Sequence, residues 1–175
     1  RTSEPTEWFT DGSCLNNHDP VKAVGAWGYY NYNEDTHYAG HVKEAKVEYK
    51  GNQILARPTN IRAEGLALYH CMNMIYLSGV NGEHIIYTDS KFWIDMLYKY
   101  IPSWAVDNVI FTNKKNSDIV KKIWPLFVKL ANLPHVDFKL KFVNAWHDLS
   151  KVNQESKTAV GNRNAEEAAQ YLLTR

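Results

Sequence analysis

The hydrophobic period of the sequence changes after Pro58, and this change limits the folds available to the chain. Before Pro58, short runs rich in apolar and aromatic residues predict strands over residues 7–13, 23–32 and 36–49. The polar residues 33–35 between the last two runs predict a hairpin turn. We therefore expect the first part of the chain to form three consecutive strands.

After Pro58, helical spacing and strand-like runs alternate. Apolar residues recur at helical spacing over residues 63–77, where Thr59 or Asn60 can cap the first turn and Gly79 ends the run. The segments that follow are predicted in chain order as a strand over 83–88, a helix from Ser90 to about Tyr100, an irregular segment over 102–113, a helix from 116 or 117 to 131, a strand over 136–145 and a terminal helix over 162–173. Pro125 is expected to kink its helix or to lie in a first turn after a break.

The resulting order, β-β-β-α-β-α-α-β-α, predicts an α/β fold. Three hairpin-linked strands followed by helix–strand alternation indicate a five-stranded mixed sheet, antiparallel at one edge and parallel after the first helix, flanked by helices. The length of 175 residues is typical of one domain, so we expect residues 1–175 to form a single domain. Since residue 1 is Arg rather than Met, this domain is also compatible with excision from a longer chain.

Composition excludes several classes of protein. No apolar run approaches the roughly 20 residues of a membrane span, and the N-terminus lacks a signal pattern. Cys14 and Cys71 are far apart and lack a Cys-x-x-Cys partner, which argues against disulfides or zinc. We therefore expect an intracellular protein, in the cytoplasm or nucleus, with no membrane partner. Its oligomeric state leaves no signature in the sequence, and a monomer is the simplest expectation.

Three acidic residues occur where secondary-structure propensity would not place them. Asp11 and Asp89 each end an apolar strand, and Glu64 lies in the first turns of a helix beside Ala63. If the two strands are neighbours, Asp11 and Asp89 meet at the carboxyl ends, where open sheets bind ligands. Crowded carboxylates need protons or cations, and oxygen ligands favour Mg²⁺ or Mn²⁺ over zinc. Alternatively, Asp11 and Asp89 are ordinary turn and cap residues.

Three motifs around these carboxylates resemble the type 1 ribonuclease H family. Residues 9–13 (FTDGS) resemble its first-strand motif, residues 59–64 (TNIRAE) its helix entry, and residues 87–90 (YTDS) its second aspartate motif. They occur in the family's order, and the resemblance extends over nearly the full chain. It implies a ribonuclease H fold and an endonuclease that hydrolyses the RNA strand of RNA–DNA hybrids. It also implies two Mg²⁺ ions, for which Mn²⁺ can substitute, with Asp11, Glu64 and Asp89 as catalytic metal ligands.

The C-terminal part departs from the family pattern at its acidic residue. Residues 161–169 (GNRNAEEAA) match the family's Gly-Asn-x-x-Ala-Asp stretch, with Glu166 in place of Asp. The resemblance implies that Glu166 is a fourth catalytic metal ligand. Because of its extra methylene, either the helix is adjusted to accommodate it or metal occupancy on that side is weaker. Glu167 is expected to be a surface charge. His147 stands where the family has a loop histidine that assists catalysis and product release, and the following loop, residues 148–160, is longer than usual.

A hybrid-binding surface requires contacts to both strands. Short polar groups suit the 2′-hydroxyls of a shallow minor groove, and lysines suit phosphates. Because the net charge is only +1, the lysines must be clustered locally. The candidate nucleic-acid-binding residues are Cys14, Asn16 and Asn17 for RNA, Thr59, Asn60, Arg62 and Ser90 for sugar and phosphate, Phe92 and Trp104 with Trp93 for deoxyribose, and Lys114, Lys115, Lys121 and Lys122, which look like the family's basic protrusion. The alternatives are a solvated turn, core aromatics and a solvated lysine face.

Two other functions compete with this hypothesis. A related nuclease of the same superfold, such as an integrase or a junction resolvase, also uses clustered acids, but it would lack the helix-entry and terminal-helix motifs. A catalytically weak hybrid-binding module is suggested only by Glu166 and the long loop after His147.

Overall fold

The computed structural model describes residues 4–102, 115–143 and 156–174. Its strands are β1 (Thr6–Leu15), β2 (Val24–Asn31), β3 (Thr36–Val42), β4 (Ala45–Tyr49), β5 (Asn52–Ala56), β6 (Gly82–Thr88) and β7 (Val136–Phe142). Its described helices are α1 (Asn60–Ser78), α2 (Lys91–Asp95, continued by a π-helical turn over Met96–Tyr100), α3 (Ser117–Ala131) and α4 (Lys157–Leu173). None of these described helices has the length and apolar character that crossing a bilayer requires.

Five strands form one mixed sheet in the order β3-β2-β1-β6-β7. β2 runs antiparallel to β1 and β3, whereas β6 runs parallel to β1 and β7. The predicted five-stranded mixed sheet is therefore confirmed. In the central parallel pair, Thr10 lies opposite Thr88, so that β1 and β6 reach the same end of the sheet together.

The two faces of the sheet have separate hydrophobic cores, because successive strand residues point to opposite sides. Trp8 and Ile86 belong to the larger core, which α1, α2 and α3 cover. Phe9 and Tyr30 belong to a smaller core with Ala165 of α4. Asp11 has the same parity as Phe9 along β1 and therefore lies on the α4 side.

The predicted strand over residues 36–49 was wrong. The chain leaves the main sheet after β3, and β4 pairs with β5 in a separate two-stranded sheet. Lys50 and Gly51 connect these two strands with φ angles of 51° and 81°, as in a tight hairpin turn. Periodicity indicated strand propensity here but could not show which partner the strand would choose.

The helix boundaries confirm the predicted caps and correct two other expectations. Thr59 and Ser90 cap α1 and α2, accepting from Arg62 N–H at 3.1 Å and Trp93 N–H at 3.4 Å. α3 is continuous through Pro125, so the alternative that this proline lies in a first turn after a break was wrong. α4 begins at Lys157, five residues earlier than predicted, so the last four residues of the expected loop 148–160 are helical.

Candidate metal centre

The ends of β1 and β6 bring Asp11 and Asp89 together. Each residue directly follows one of the paired positions Thr10 and Thr88, so both carboxylates leave the sheet at the same level. With Glu64 of α1, they form a cluster in which one carboxylate oxygen from each residue lies within 4.8 Å of the others. The structure thus gathers the three carboxylates that the sequence placed in separate segments.

Glu64 joins this cluster because Gly12 allows α1 to approach β1. A Cβ built on Gly12 would lie 2.4 Å from both Ala63 C and Glu64 N, closer than any side chain tolerates. The glycine after Asp11 is therefore required by the close approach of two backbones, in addition to any role in a turn. This explains the aspartate–glycine pair at the end of β1 in physical terms.

Burial and mutual repulsion make the cluster unfavourable when it is fully ionised. Burial raises the pKa of Asp11 well above its usual range, and the charges of Asp89, Glu166 and Glu64 raise it further. A hydrogen bond from Gly12 N–H lowers this pKa but does not offset the increase. Burial, assisted by Asp89, raises the pKa of Glu64 to about 7, against a hydrogen bond with Ser90. Burial, followed by the charge of Glu166, also raises the pKa of Asp89. Protons or cations must neutralise such a cluster.

The donor set of the cluster fits a hard divalent cation. All three donors are carboxylate oxygens, which favour Mg²⁺ or Mn²⁺. Asp89 Oδ1 is buried and has no hydrogen-bond partner among the described residues. A buried oxygen without a partner is unfavourable, and a coordinated cation would satisfy it.

Glu166 lies beside the cluster but outside its innermost group. It is half-buried in α4, and its charge raises the pKa of both Asp11 and Asp89. Glu167, by contrast, is exposed and lines a surface groove with His37. The register inferred from the sequence, with Glu166 inward and Glu167 outward, therefore agrees with the burial of the two side chains. Whether Glu166 is a metal ligand stays a prediction.

The predicted RNA-contact residues surround the N-terminus of α1. Asn17 Oδ1 accepts a hydrogen bond from Asn60 N–H at 3.1 Å, so the β1–β2 loop and α1 present adjacent amide side chains. Cys14 lies nearby, with its Sγ 3.5 Å from the Pro58 carbonyl oxygen. Asn16 is exposed and donates to the Lys22 carbonyl at 3.3 Å. The role of these residues in binding RNA stays a prediction.

The structure gives Arg62 a structural partner. Its guanidinium is buried and donates to Asp118 Oδ1 at 2.9 Å and Oδ2 at 2.6 Å. A further bond, of 3.2 Å, reaches Asn116 Oδ1. This bidentate pair ties α1 to α3. The predicted contact of Arg62 with phosphate or sugar therefore competes with an interaction that the fold already uses.

The aromatic residues after Asp89 divide between core and surface. Trp93 is fully buried and donates its ring N–H to the Ile61 carbonyl at 2.8 Å, so its predicted contact with deoxyribose was wrong. Phe92 is half-buried against the larger core. The buried Ser90 is occupied as the cap of α2.

The structure describes three of the remaining predicted site residues and does not describe the other three. Lys115, Lys121 and Lys122 are exposed near the N-terminal half of α3, as a phosphate-binding role requires. His147, Trp104 and Lys114 lie outside the described residues.

The sequence analysis overlooked Arg57, which organises the same end of the sheet. Its guanidinium pairs with the Glu44 carboxylate and donates to the Val21 carbonyl at 2.7 Å, while its Nε has no partner among the described residues. Arg57 thus joins the β1–β2 loop to the base of the β4–β5 hairpin. The only signal for Arg57 in the sequence was its position two residues before Thr59. Spacing along the sequence did not indicate that Glu44 and Val21 would be its partners.

Comparisons with known proteins agree with this fold. Over 94% of this chain and 91% of the other, the structure is similar to the foamy viral protease-reverse transcriptase in complex with dsDNA, with 15% identity and a TM-score of 0.62. RNase H1 from Halobacterium salinarum NRC-1 is 17% identical over 98% of both chains, with a TM-score of 0.54. LC11-RNase H1, in complex with RNA/DNA hybrid, is 15% identical over 96% and 99% of the two chains, with a TM-score of 0.52. Curated protein sequences give no significant match.

At these identities, the structural likenesses show a shared fold. A family model described as RNase H matches residues 3–171 and supplies the assignment that the fold alone does not. The chain therefore belongs to the RNase H family and is a ribonuclease H, as its three motifs predicted.

Proposed function

We propose that this protein hydrolyses the RNA strand of RNA–DNA hybrids, using two Mg²⁺ ions at the carboxylate cluster. The observation that carries the proposal is the convergence of Asp11, Glu64 and Asp89, with ligand oxygens within 4.8 Å of one another. The family match supports nuclease activity on hybrids. LC11-RNase H1, a neighbour of the same fold, is described in complex with RNA/DNA hybrid.

The cluster is suited to hold cations against the scissile phosphate. Asp11, Glu64 and Asp89 would be the innermost ligands, and Glu166 would approach from the α4 side. When bound, the two ions would stabilise the attacking and the leaving oxygen of an in-line displacement at phosphorus. Hydrolysis adds water to phosphorus and breaks one P–O ester bond, so the departing oxygen needs a proton. We propose that His147 supplies or relays this proton.

Selectivity for the hybrid would come from the polar rim around the cluster. We propose that Asn17 and Asn60, which are joined by a hydrogen bond, recognise 2′-hydroxyls. Cys14 at the end of β1 and Asn16 in the β1–β2 loop would extend this rim. On the DNA side we propose Thr59 for a phosphate, Phe92 and Trp104 for deoxyribose, and the lysines of the basic segment for further phosphates.

The proposal is tested with matched labelled substrates of one sequence: an RNA–DNA hybrid, double-stranded RNA and double-stranded DNA. We expect Mg²⁺-dependent cleavage of the RNA strand of the hybrid, little cleavage of either homoduplex, and no cleavage after EDTA. Cleavage that EDTA leaves unchanged would show the metal mechanism to be wrong. Tight hybrid binding without cleavage in Mg²⁺ or Mn²⁺ would favour the binding module instead.

Three further properties belong to the proposal. Cys14 and Cys71 are both free thiols, which suits a reducing intracellular compartment such as the cytoplasm or nucleus. We further propose that residues 1–175 act as a single domain and that the protein is monomeric.

A further inference from the structure

The β4–β5 hairpin lies outside the main sheet but begins and ends beside the candidate metal centre. β3 ends at Val42, which pairs with Gly25 of β2, and Gly25 pairs with Cys14, three residues after Asp11. The chain returns through β5 and enters α1 at Asn60. Both ends of the hairpin are therefore attached to the end of the sheet that carries the carboxylates.

The hairpin is held in a fixed place rather than extending freely. Arg57 fastens its base through Glu44 and the Val21 carbonyl. Val47 is buried, and the Ser117 hydroxyl at the start of α3 donates to the Glu48 carbonyl at 3.4 Å. The five residues of β4 span about 16 Å, at about 3.3 Å each. The tip of the hairpin therefore lies near the N-terminus of α3.

At the tip of the hairpin, the ammonium groups of two lysines, one from the hairpin and one from just before the start of α3, lie over the same tyrosine ring. Lys50 Nζ lies 5.2 Å and Lys115 Nζ lies 6.0 Å from the ring centroid of Tyr49. Both lysines are exposed, and neither has an ion pair within the part of the chain that the structure describes. Other lysines, such as Lys139 and Lys157, are paired with carboxylates. The tip is therefore a local positive site in a chain of net charge +1.

We propose that this tip, formed by Tyr49, Lys50 and Lys115, binds the sugar–phosphate backbone of the substrate duplex beyond the cleavage site. The inference rests on the proposed function, because it takes the hybrid as the ligand. Uncompensated ammonium groups attract phosphates and release counterions, and the Tyr49 ring holds the two ammonium groups at one place on the surface.

The test measures the dissociation constant for a hybrid against salt concentration, in an Asp11→Asn background that leaves the strand uncut. Removing one lysine that binds a phosphate should lower the slope of log K against log salt by about 0.9. We expect the Lys50→Ala/Lys115→Ala variant to lose nearly two units of slope. Hybrids shortened stepwise from both ends should reach a length at which the parent and this variant bind alike, because the duplex then no longer extends to the tip.

The matched control is Lys129→Ala. Lys129 also places its ammonium over a tyrosine ring, 5.8 Å from Tyr76, but it lies 14 residues beyond Lys115, about 21 Å along α3. It should keep the parental slope. If Lys129→Ala lowers the slope by as much as either tip lysine, or if the double variant keeps the parental slope, the tip does not bind the duplex.

A second readout separates this inference from the proposed function. With Asp11 intact, the double variant should cleave saturating hybrid at the parental kcat while KM rises. If the parent itself fails to cleave hybrid in Mg²⁺, the proposed function is wrong, and the salt slopes still decide whether the tip binds a duplex. A fall in kcat with unchanged KM would overturn the inference.

Discussion

Gly161 of α4 lies directly on the ring of Phe9, so closely that a Cβ at position 161 would be 2.2 Å from Phe9 Cε1. A second close approach lies farther along the helix, where a Cβ on Gly28 would be 2.7 Å from the Ala165 carbonyl oxygen. These two contacts set the height of α4 above β1 and β2. The distance between Glu166 and Asp11 is therefore controlled by residues that carry no charge.

Gly161→Ala should lift α4 and weaken the contribution of Glu166. Overpacking of this kind typically costs about 1–3 kcal/mol, so urea unfolding should show a loss of that size. The metal concentration for half-maximal cleavage should also rise, since Glu166 moves away from Asp11 and Asp89.

Gly40→Ala is the control for general destabilisation. A Cβ at Gly40 would meet Trp27 Cζ2 at 2.3 Å, on the face of the sheet that α1 covers and not on the α4 side. It should reduce stability while leaving the metal dependence unchanged. Equal shifts of metal dependence in both variants would show that reduced stability, rather than the position of α4, is responsible.

The sequence predicted the main sheet and the innermost site because both depend on local patterns. Alternation and helical spacing are visible in short windows, and Asp11, Glu64 and Asp89 each lie in a recognisable motif. The approach of Glu64 to Asp11 was harder to predict from the sequence, because Gly12 acts through a backbone contact with a helix about 50 residues away.

Features that depend on distant partners were beyond the sequence. The β4–β5 hairpin was predicted as part of one strand, because propensity does not reveal pairing. Trp93 was assigned to the surface, although a neighbouring glycine, Gly65, makes room for its ring in the core. Arg62 was assigned to nucleic acid, and its acidic partner Asp118 lies 56 residues away.

In metal-free buffer, stability should fall as the pH rises through the titration of the cluster. The pKa of Glu64 is raised from 4.5 to about 7 in the folded state, so the unfolded chain ionises first. The folded state then binds more protons, and unfolding becomes easier between these two pH values. The loss from this group is at most about 3 kcal/mol.

Glu64→Gln should remove much of this pH dependence while abolishing cleavage. Thermal melts of parent and variant in EDTA, from pH 4 to pH 8, measure the difference directly. Saturating Mg²⁺ should restore the stability of the parent near neutral pH and leave the variant nearly unchanged. A parent whose stability rises steadily over this range would contradict the assignment of raised pKa values to the cluster.

Asp118→Ala should be destabilising because it leaves the buried Arg62 without its carboxylate. Breaking a buried ion pair typically costs about 3–5 kcal/mol, and the value here should lie at or below the lower end, since Asp118 is 26% exposed. Arg62→Met/Asp118→Leu should cost less than the single change. A double-mutant cycle of unfolding free energies checks this.

The Arg62–Asp118 pair should give stability a pH dependence opposite to that of Glu64, because its contribution is lost as the pH falls. Burial alone would raise the pKa of Asp118, but the hydrogen bonds and charge of Arg62 outweigh it and lower the pKa below 3.8. Its contribution is therefore present above the unfolded-state value and is lost as the pH falls through the folded-state value. The stability gap between the parent and Asp118→Asn should narrow below about pH 4.

Glu166 should be a functional but imperfect metal ligand. Its charge raises the pKa of Asp11 and Asp89, yet it lies outside the innermost group of three carboxylates. Glu166→Gln should therefore lose most activity, because the carboxylate charge at the α4 side of the centre is removed. The variant should also bind Mg²⁺ more weakly, which titration calorimetry without substrate can measure.

Two further variants test the length of the Glu166 side chain and the choice of residue 166 over residue 167. Glu166→Asp keeps the charge and shortens the side chain by one methylene, to the residue that the family pattern has at this position. It should retain activity or raise it, or lower the metal concentration needed for half-maximal rate. Glu167→Gln should do little, because residue 167 lies about 100° around the helix and is exposed. If Glu166→Gln cleaves as fast as the parent while Glu167→Gln fails, the register is wrong by one residue. If neither variant differs from the parent, the centre uses three carboxylates, and the charge of Glu166 only tunes their ionisation.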